Sequence, residues 1–170
     1  KYRGKNIYEV LEMTIDEAVD FFSGRRGNQE DKVVRKLSIL QEVGLGYLKL
    51  GQSSSTLSGG ESQRVKLASF LGSESQNSPS LFIFDEPTTG LHYYDISRLL
   101  ESFSKLIQKG HTVVVIEHNM EIIKSADYII DLGPEGGENG GEIVATGKPE
   151  ELIKNKKSFT AEYLNKYLEK

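Results

Sequence analysis

Leu81-Phe82-Ile83-Phe84-Asp85-Glu86-Pro87 reads as a buried strand that ends in two carboxylates. Downstream, Asp95–Lys109 places Ile96, Leu99, Leu100, Phe103 and Leu106 on one helical face, and Gly110 stops the helix. Thr112–Glu117 (TVVVIE) then forms a second strand, too short and too β-branched for a buried helix. A strand–helix–strand order argues for a parallel sheet with a right-handed crossover. Both strands then deliver their carboxyl ends to one edge, where ligands of such sheets bind. Asp85 and Glu86 end the first strand and His118 follows the second, so His118 and Glu86 are expected to face one pocket.

Working upstream, Leu57-Ser58-Gly59-Gly60-Glu61-Ser62-Gln63-Arg64 reads as a glycine pair opening a helix. Ser58 is the N-cap, and Glu61 three residues on completes a capping box. Gly59 and Gly60 allow a ligand close to the backbone, and a helix N-terminus favours a phosphate. The charge of Glu61 opposes an anion there unless its carboxylate is turned aside to the cap. Taken alone, the segment is equally a well-capped helix and no more. Nowhere does the chain contain G-x-x-x-x-G-K-[ST], the loop that would hold the phosphates, so the pattern describes half of a nucleotide site.

Further upstream, Thr14 and Glu17 form another capping box, opening a helix with Ile15, Ala18, Val19 and Phe22. Gly24 to Gln29 (GRRGNQ) is a polar loop, and an amphipathic helix with Val33, Leu37, Leu40 and Val43 runs to Gly44 and Gly46. Beyond His118 come a short helix around Met120–Lys124, strands near Tyr128–Leu132 and Glu142–Ala145, and a helical region from Pro149. The glycine-rich stretch Gly133 to Gly141 lacks lysine and carries two acids, so it is a connection between strands rather than a phosphate loop. These features divide the chain into a helical part (1–55), the glycine-opened helix and a linker (56–80), and an α/β portion (81–170).

Composition narrows the classes. A chain of 170 residues buries a sizeable core. Its 25 acidic against 21 basic residues give no whole-chain attraction to nucleic acid. Lys1, Arg3, Lys5 and the pair Arg25-Arg26 read as solvated charge. Without cysteine there is neither a disulfide framework nor a thiolate metal site, and the three histidines lack metal-site spacing. His111, at a helix-to-strand turn, carries no functional assignment. No apolar run spans a membrane, so a soluble cytoplasmic location is expected. The start at Lys1 without methionine suggests an excised fragment.

At this point the residues resemble a family. Leu57–Arg64 looks like the ABC ATPase signature, Leu81–Glu86 like its Walker B strand with the catalytic glutamate, Pro87–His92 like its D-loop, and His118 like its switch histidine. Gly44–Gln52, Asp85–His92, Ile116–Asn119 and Ala126–Gly137 are similar to the UvrA family, damage-recognition subunits of bacterial excinuclease, and Gly4–Ile7 through Met13-Thr14 agrees. The resemblance implies an incomplete P-loop NTPase domain of ABC type, α/β with a mainly parallel sheet, plus a helical signature subdomain. It implies that Asp85 supports Mg²⁺ through water, Glu86 activates water, and His118 senses the γ-phosphate of ATP. Ser58, Gly59, Gly60 and Glu61 would close a nucleotide held by a Walker A-bearing module of the same protein, and Arg64 would reach across that interface.

The wider expectations are ATP hydrolysis regulating damage recognition in nucleotide excision repair and the SOS response, damaged DNA and a UvrB-like protein as partners, and a homodimer of the full protein. The zinc cluster that precedes this stretch in the family is absent, and Ser53-Ser54-Ser55 replaces the usual Pro-Ala-Thr. With no Lys or Arg between Lys66 and Arg98, a DNA contact there is weakened. Little activity is expected of the chain alone. The alternatives are the C-terminal lobe of another ABC ATPase, of transporter or cohesin and recombination type, and a non-catalytic interaction module.

Overall fold

The structure, a computed structural model, describes residues 1–24, 28–72, 78–135 and 140–168. The pair Arg25-Arg26 and the middle of the glycine-rich connection lie outside the described residues. The chain separates into two compact units, Lys1–Ile116 and Glu117–Lys170.

Local caps start the helices of the first unit. Asn6 and Glu9 exchange hydrogen bonds to begin α1 (Ile7–Leu11), a capping box beyond those expected at Thr14 and Ser58. Thr14 and Glu17 do the same for α2 (Ile15–Phe22), as expected. α3 (Asn28–Glu42) packs on α2 and on α4 (Gly59–Leu71). It ends where Gly44 turns left-handed at φ +74°, with a β-carbon position only 3.2 Å from that of Asp95. The chain from Leu45 to Gly51 then runs back along the entry to α2: Ile15 N–H donates to Leu48 C=O at 2.8 Å and Leu50 N–H to Met13 C=O at 2.9 Å.

β1 (Leu81–Asp85) and β2 (Thr112–Ile116) pair in parallel, with Asp85 opposite Ile116, and α5 (Tyr93–Gln108) makes the crossover. Ile96, Leu99, Phe103 and Leu106 of α5 are buried, four of the five residues assigned to its inner face. Phe84 meets Phe103 at 4.9 Å between ring centroids, and Phe82 meets Phe70 of α4 at 4.9 Å. Among the described residues only this face of the pair is covered. Leu81, Ile83, Val114 and Ile116 are 60, 63, 44 and 55 % exposed, so β1 is not buried on both sides as its unbroken apolar run suggests. An apolar run of this kind suits two-sided burial in a parallel sheet, and the second cover is not part of this unit.

The second unit holds α6 (Met120–Lys124), an antiparallel pair of β3 (Ile129–Gly133) and β4 (Glu142–Gly147), α7 (Pro149–Leu152) and α8 (Phe159–Leu168). Ala145, Leu152, Ala161 and Leu164 form its core, with Met120, Ile123, Ile129 and Ile153 against them. Asp131 accepts from Ser158 Oγ at 2.6 Å and Thr160 Oγ1 at 2.7 Å, and Ser158 Oγ in turn caps Ala161 N–H at 2.8 Å. No helix among the described residues is long and apolar enough to cross a membrane.

Candidate functional site

The start of α4 is built as a cap with its acid held aside. Ser58 Oγ accepts Glu61 N–H at 3.2 Å, and Ser58 N–H donates to Glu61 Oε2 at 2.7 Å. The other carboxylate oxygen accepts from the Tyr47 hydroxyl at 2.5 Å. Tyr47 stands on the Leu45–Gly51 segment, so the backbone pairing with α2 fixes where that hydroxyl points. The Tyr47 bond first, and then the Ser58 backbone, lower the Glu61 pKa; burial and the Glu61 bond raise that of Tyr47. Since the first-turn N–H groups of a helix lack intrahelical partners, those of Gly59 and Gly60 remain at the helix end. Gly59 is exposed, and a β-carbon on it would meet nothing within 4 Å.

Gly60 faces inward. Its β-carbon position lies 3.4 Å from Arg64 Nη1 and 3.5 Å from the carbonyl oxygens of both Glu86 and Thr89. This close approach lays the first turn of α4 on the turn that follows β1. Two side chains fasten the contact. Gln63 Nε2 donates to Asp85 C=O at 2.9 Å, and Asp85 N–H donates to Gln63 Oε1 at 3.1 Å. Arg64 is fully buried, and its Nη1 donates to Pro87 C=O at 2.6 Å and lies 3.5 Å from Thr89 C=O. Its Nε and Nη2 find no hydrogen-bond partner among the described residues. Arg64 therefore points into the unit, against the expectation that it reaches across an interface: carbonyls freed by the turn draw the guanidinium inward.

Glu86 sits at φ +46°, a left-handed conformation that costs a residue with a β-carbon about 1–2 kcal/mol. It is held by Glu86 N–H donating to Ile116 C=O at 2.9 Å and by Thr89 N–H donating to Glu86 C=O at 3.2 Å. Asp85 and Glu86 are both exposed at the carboxyl edge of the strand pair. A separate open cavity of about 610 Å³ lies on the other side of the cap, lined by Tyr47, Ser58, Glu61, Thr89, Gly90 and His92 among others. Neither Asp85 nor Glu86 lines it.

His118 belongs to the second unit and is exposed. Its N–H and that of Asn119 donate to Glu117 Oε2 at 3.0 and 3.3 Å, and Asn119 Oδ1 caps α6. His111 is buried and serves the fold, its Nδ1 accepting Ser80 N–H at 3.2 Å just before β1. Arg3 likewise is not simply solvated, since its guanidinium donates to the carbonyls of Phe21 and Ser23. Sequence reasoning does not single out Tyr47 and Gln63 as site residues. Both lie inside the family-like motifs, but nothing local in the chain tells which distant group they meet.

The residues present fit Mg²⁺–ATP as half-sites. Among the described residues no three His, Asp or Glu side chains gather as a metal cage. A lone exposed Asp85 suits Mg²⁺, which takes one or two carboxylates together with water and substrate phosphates.

A model of the ABC transporter family matches residues 5–89. The UvrABC system protein A of Aquifex aeolicus is 57 % identical over 169 residues, 99 % of this chain, and the chain spans 18 % of that relative's length. The crystal structure of UvrA2 from Deinococcus radiodurans superposes with a TM-score of 0.79 at 46 % identity, over 97 % of this chain and 20 % of that one. An ATP-binding subunit of an ABC transporter aligns with a TM-score of 0.51 at 25 % identity, over 94 % of this chain and 64 % of that one. These matches agree with a partial P-loop NTPase domain. The family's use of nucleotide and magnesium agrees with the fit of the half-sites. The chain belongs to the ABC transporter family of ATPases, and it is UvrA-like along nearly its whole length.

Proposed function

We propose that this chain supplies two half-sites to a UvrA-like ATPase that recognises DNA damage in nucleotide excision repair. Ser58, Gly59 and Gly60 would present a helix N-terminus to the terminal phosphate of ATP held by another module. The observation that carries this reading is the Glu61 carboxylate, tied back by Tyr47 and Ser58 so that its charge is occupied at the cap. The field at Gly59 and Gly60 then favours an anion.

Asp85 would hold Mg²⁺ through water, Glu86 would orient and deprotonate the attacking water, and His118 would donate to the γ-phosphate. Bound Mg²⁺–ATP supplies the phosphorus centre and a cation that neutralises its charge. The residue groups 1–55, 56–80 and 81–170 would serve as helical support, signature helix with linker, and carboxylate-bearing core. In the longer protein, a Walker A-bearing module, damaged DNA, a UvrB-like protein and a second copy are the partners this reading calls for, in the cytoplasm.

Nucleotide-dependent association tests it. The chain should bind a phosphate-loop-bearing module of the same family in the presence of Mg²⁺–ATP and not without it. Absence of association at any ATP concentration sinks the reading. So does robust magnesium-dependent turnover by the chain alone that is lost on Glu86→Gln.

A further inference from the structure

Gln63 of α4 bonds the backbone of Asp85 at the end of β1. Successive residues of a strand direct their N–H and C=O to opposite edges. The N–H of Glu86 faces β2 and donates to Ile116 C=O. The N–H and C=O of Asp85 face the other edge, and the side-chain amide of Gln63 pairs with both, at 3.1 and 2.9 Å, as an adjoining strand would. The next residue of the chain is Glu86, in its left-handed conformation. One residue along α4, Arg64 grips the far side of the same turn at Pro87. The direction in which the Glu86 carboxylate leaves the strand is thus set by the Asp85 peptide before it and the Pro87 carbonyl after it, and α4 holds both.

We propose that Gln63 is a positioning residue for Glu86. Through the Asp85 peptide it sets the approach of the carboxylate to the attacking water, and it does so from the helix whose first turn serves the opposite nucleotide. Gln63 touches no substrate. It lies about one turn from Gly59 on the same helix, so a displacement of α4 when its N-terminus closes on a phosphate moves the Asp85 peptide as well. The amide suits this role because it supplies one donor and one acceptor in a plane, which a carboxylate or an alkyl group does not. The inference rests on the assignment of Glu86 made under Proposed function.

The test uses the full-length ATPase that carries this segment, comparing wild type with Gln63→Leu, Gln63→Glu and Glu86→Gln in steady-state hydrolysis and in ATP binding. Gln63→Leu removes both bonds at similar volume and should lower kcat about tenfold while KM and ATP affinity stay within about twofold, the signature of an interaction felt only at the chemical step. Gln63→Glu keeps the acceptor for Asp85 N–H and loses the donor, so its kcat should fall between wild type and Gln63→Leu; it also decides the matter if Gln63→Leu does not fold. Wild-type kcat in both Gln63 variants, with Glu86→Gln inactive, overturns the inference and leaves the assignment of Glu86 standing. A parallel loss of kcat and ATP affinity also overturns it, because a general disturbance of the fold would do that. Turnover that survives Glu86→Gln removes the assignment of Glu86, and the inference falls with it.

Discussion

The Tyr47 hydroxyl donates to Glu61 Oε1 at 2.5 Å, which turns the one acidic side chain in the first turn of α4 away from the glycine pair. This pairing lowers the Glu61 pKa, with the Tyr47 bond as its largest cause. A depressed carboxylate pKa stabilises the fold fully above its unfolded value, and the contribution is lost as pH falls through the folded value. Tyr47→Phe should therefore cost about 1 kcal/mol near neutral pH, below the usual range for a charged hydrogen bond because Tyr47 is half exposed. Urea unfolding of both proteins at pH 7 and at about pH 3 checks this, since protonating Glu61 should shrink the gap. An equal gap at both pH values would mean that Glu61 is not the acceptor that matters.

Glu86→Gln keeps the shape of the turn and removes the carboxylate proposed as the base. In the full-length ATPase it should reduce kcat by about 10²–10³, within the usual range for loss of a general base, and leave ATP binding in place. Binding by equilibrium titration beside steady-state turnover separates the two effects.

Arg64→Ala leaves the buried Pro87 carbonyl without its guanidinium donor and opens a hole beside Gly60. The expected cost is about 2–4 kcal/mol, read as a fall in the denaturant midpoint. Lysine should restore little, because a single ammonium does not reproduce the planar fork that fills this position. A neutral Arg64→Ala would show that the cost of burying Nε and Nη2, which have no partner among the described residues, cancels what the guanidinium contributes.

Ile83 stands 63 % exposed on the open face of the β1–β2 pair. Ile83→Lys should change the stability of the chain by no more than about 0.5 kcal/mol, because no packing is lost. Light scattering at high concentration should show less self-association, since a contiguous apolar face is what drives it.

Much of this is legible in the chain. The boxes at Thr14 and Ser58 are set by residues three apart, and the α5 face by a repeat inside one helix, so local pattern suffices for both. β1 shows where pattern reading stops. Leu81-Phe82-Ile83-Phe84 has the composition of a strand covered on both sides, and composition is silent on which cover a given stretch of chain includes. The box at Asn6 and Glu9 has the same three-residue spacing, but the helix it opens is only five residues long, too short for Ile7, Val10 and Leu11 to establish a repeat.

By itself the sequence determined the element types, the parallel strand pair with its crossover, and the family. Short-range periodicity, capping and motif content carry all of these, and none needs the path of the chain. Only the tertiary structure decided that Tyr47 bonds Glu61, that Gln63 pairs with the open edge of Asp85, and that Arg64 turns inward to the carbonyls after β1. Each joins residues 14 to 23 positions apart. Such contacts depend on how α3, α4 and the strand pair stack, and on the direction in which the left-handed backbone of Glu86 sends the chain.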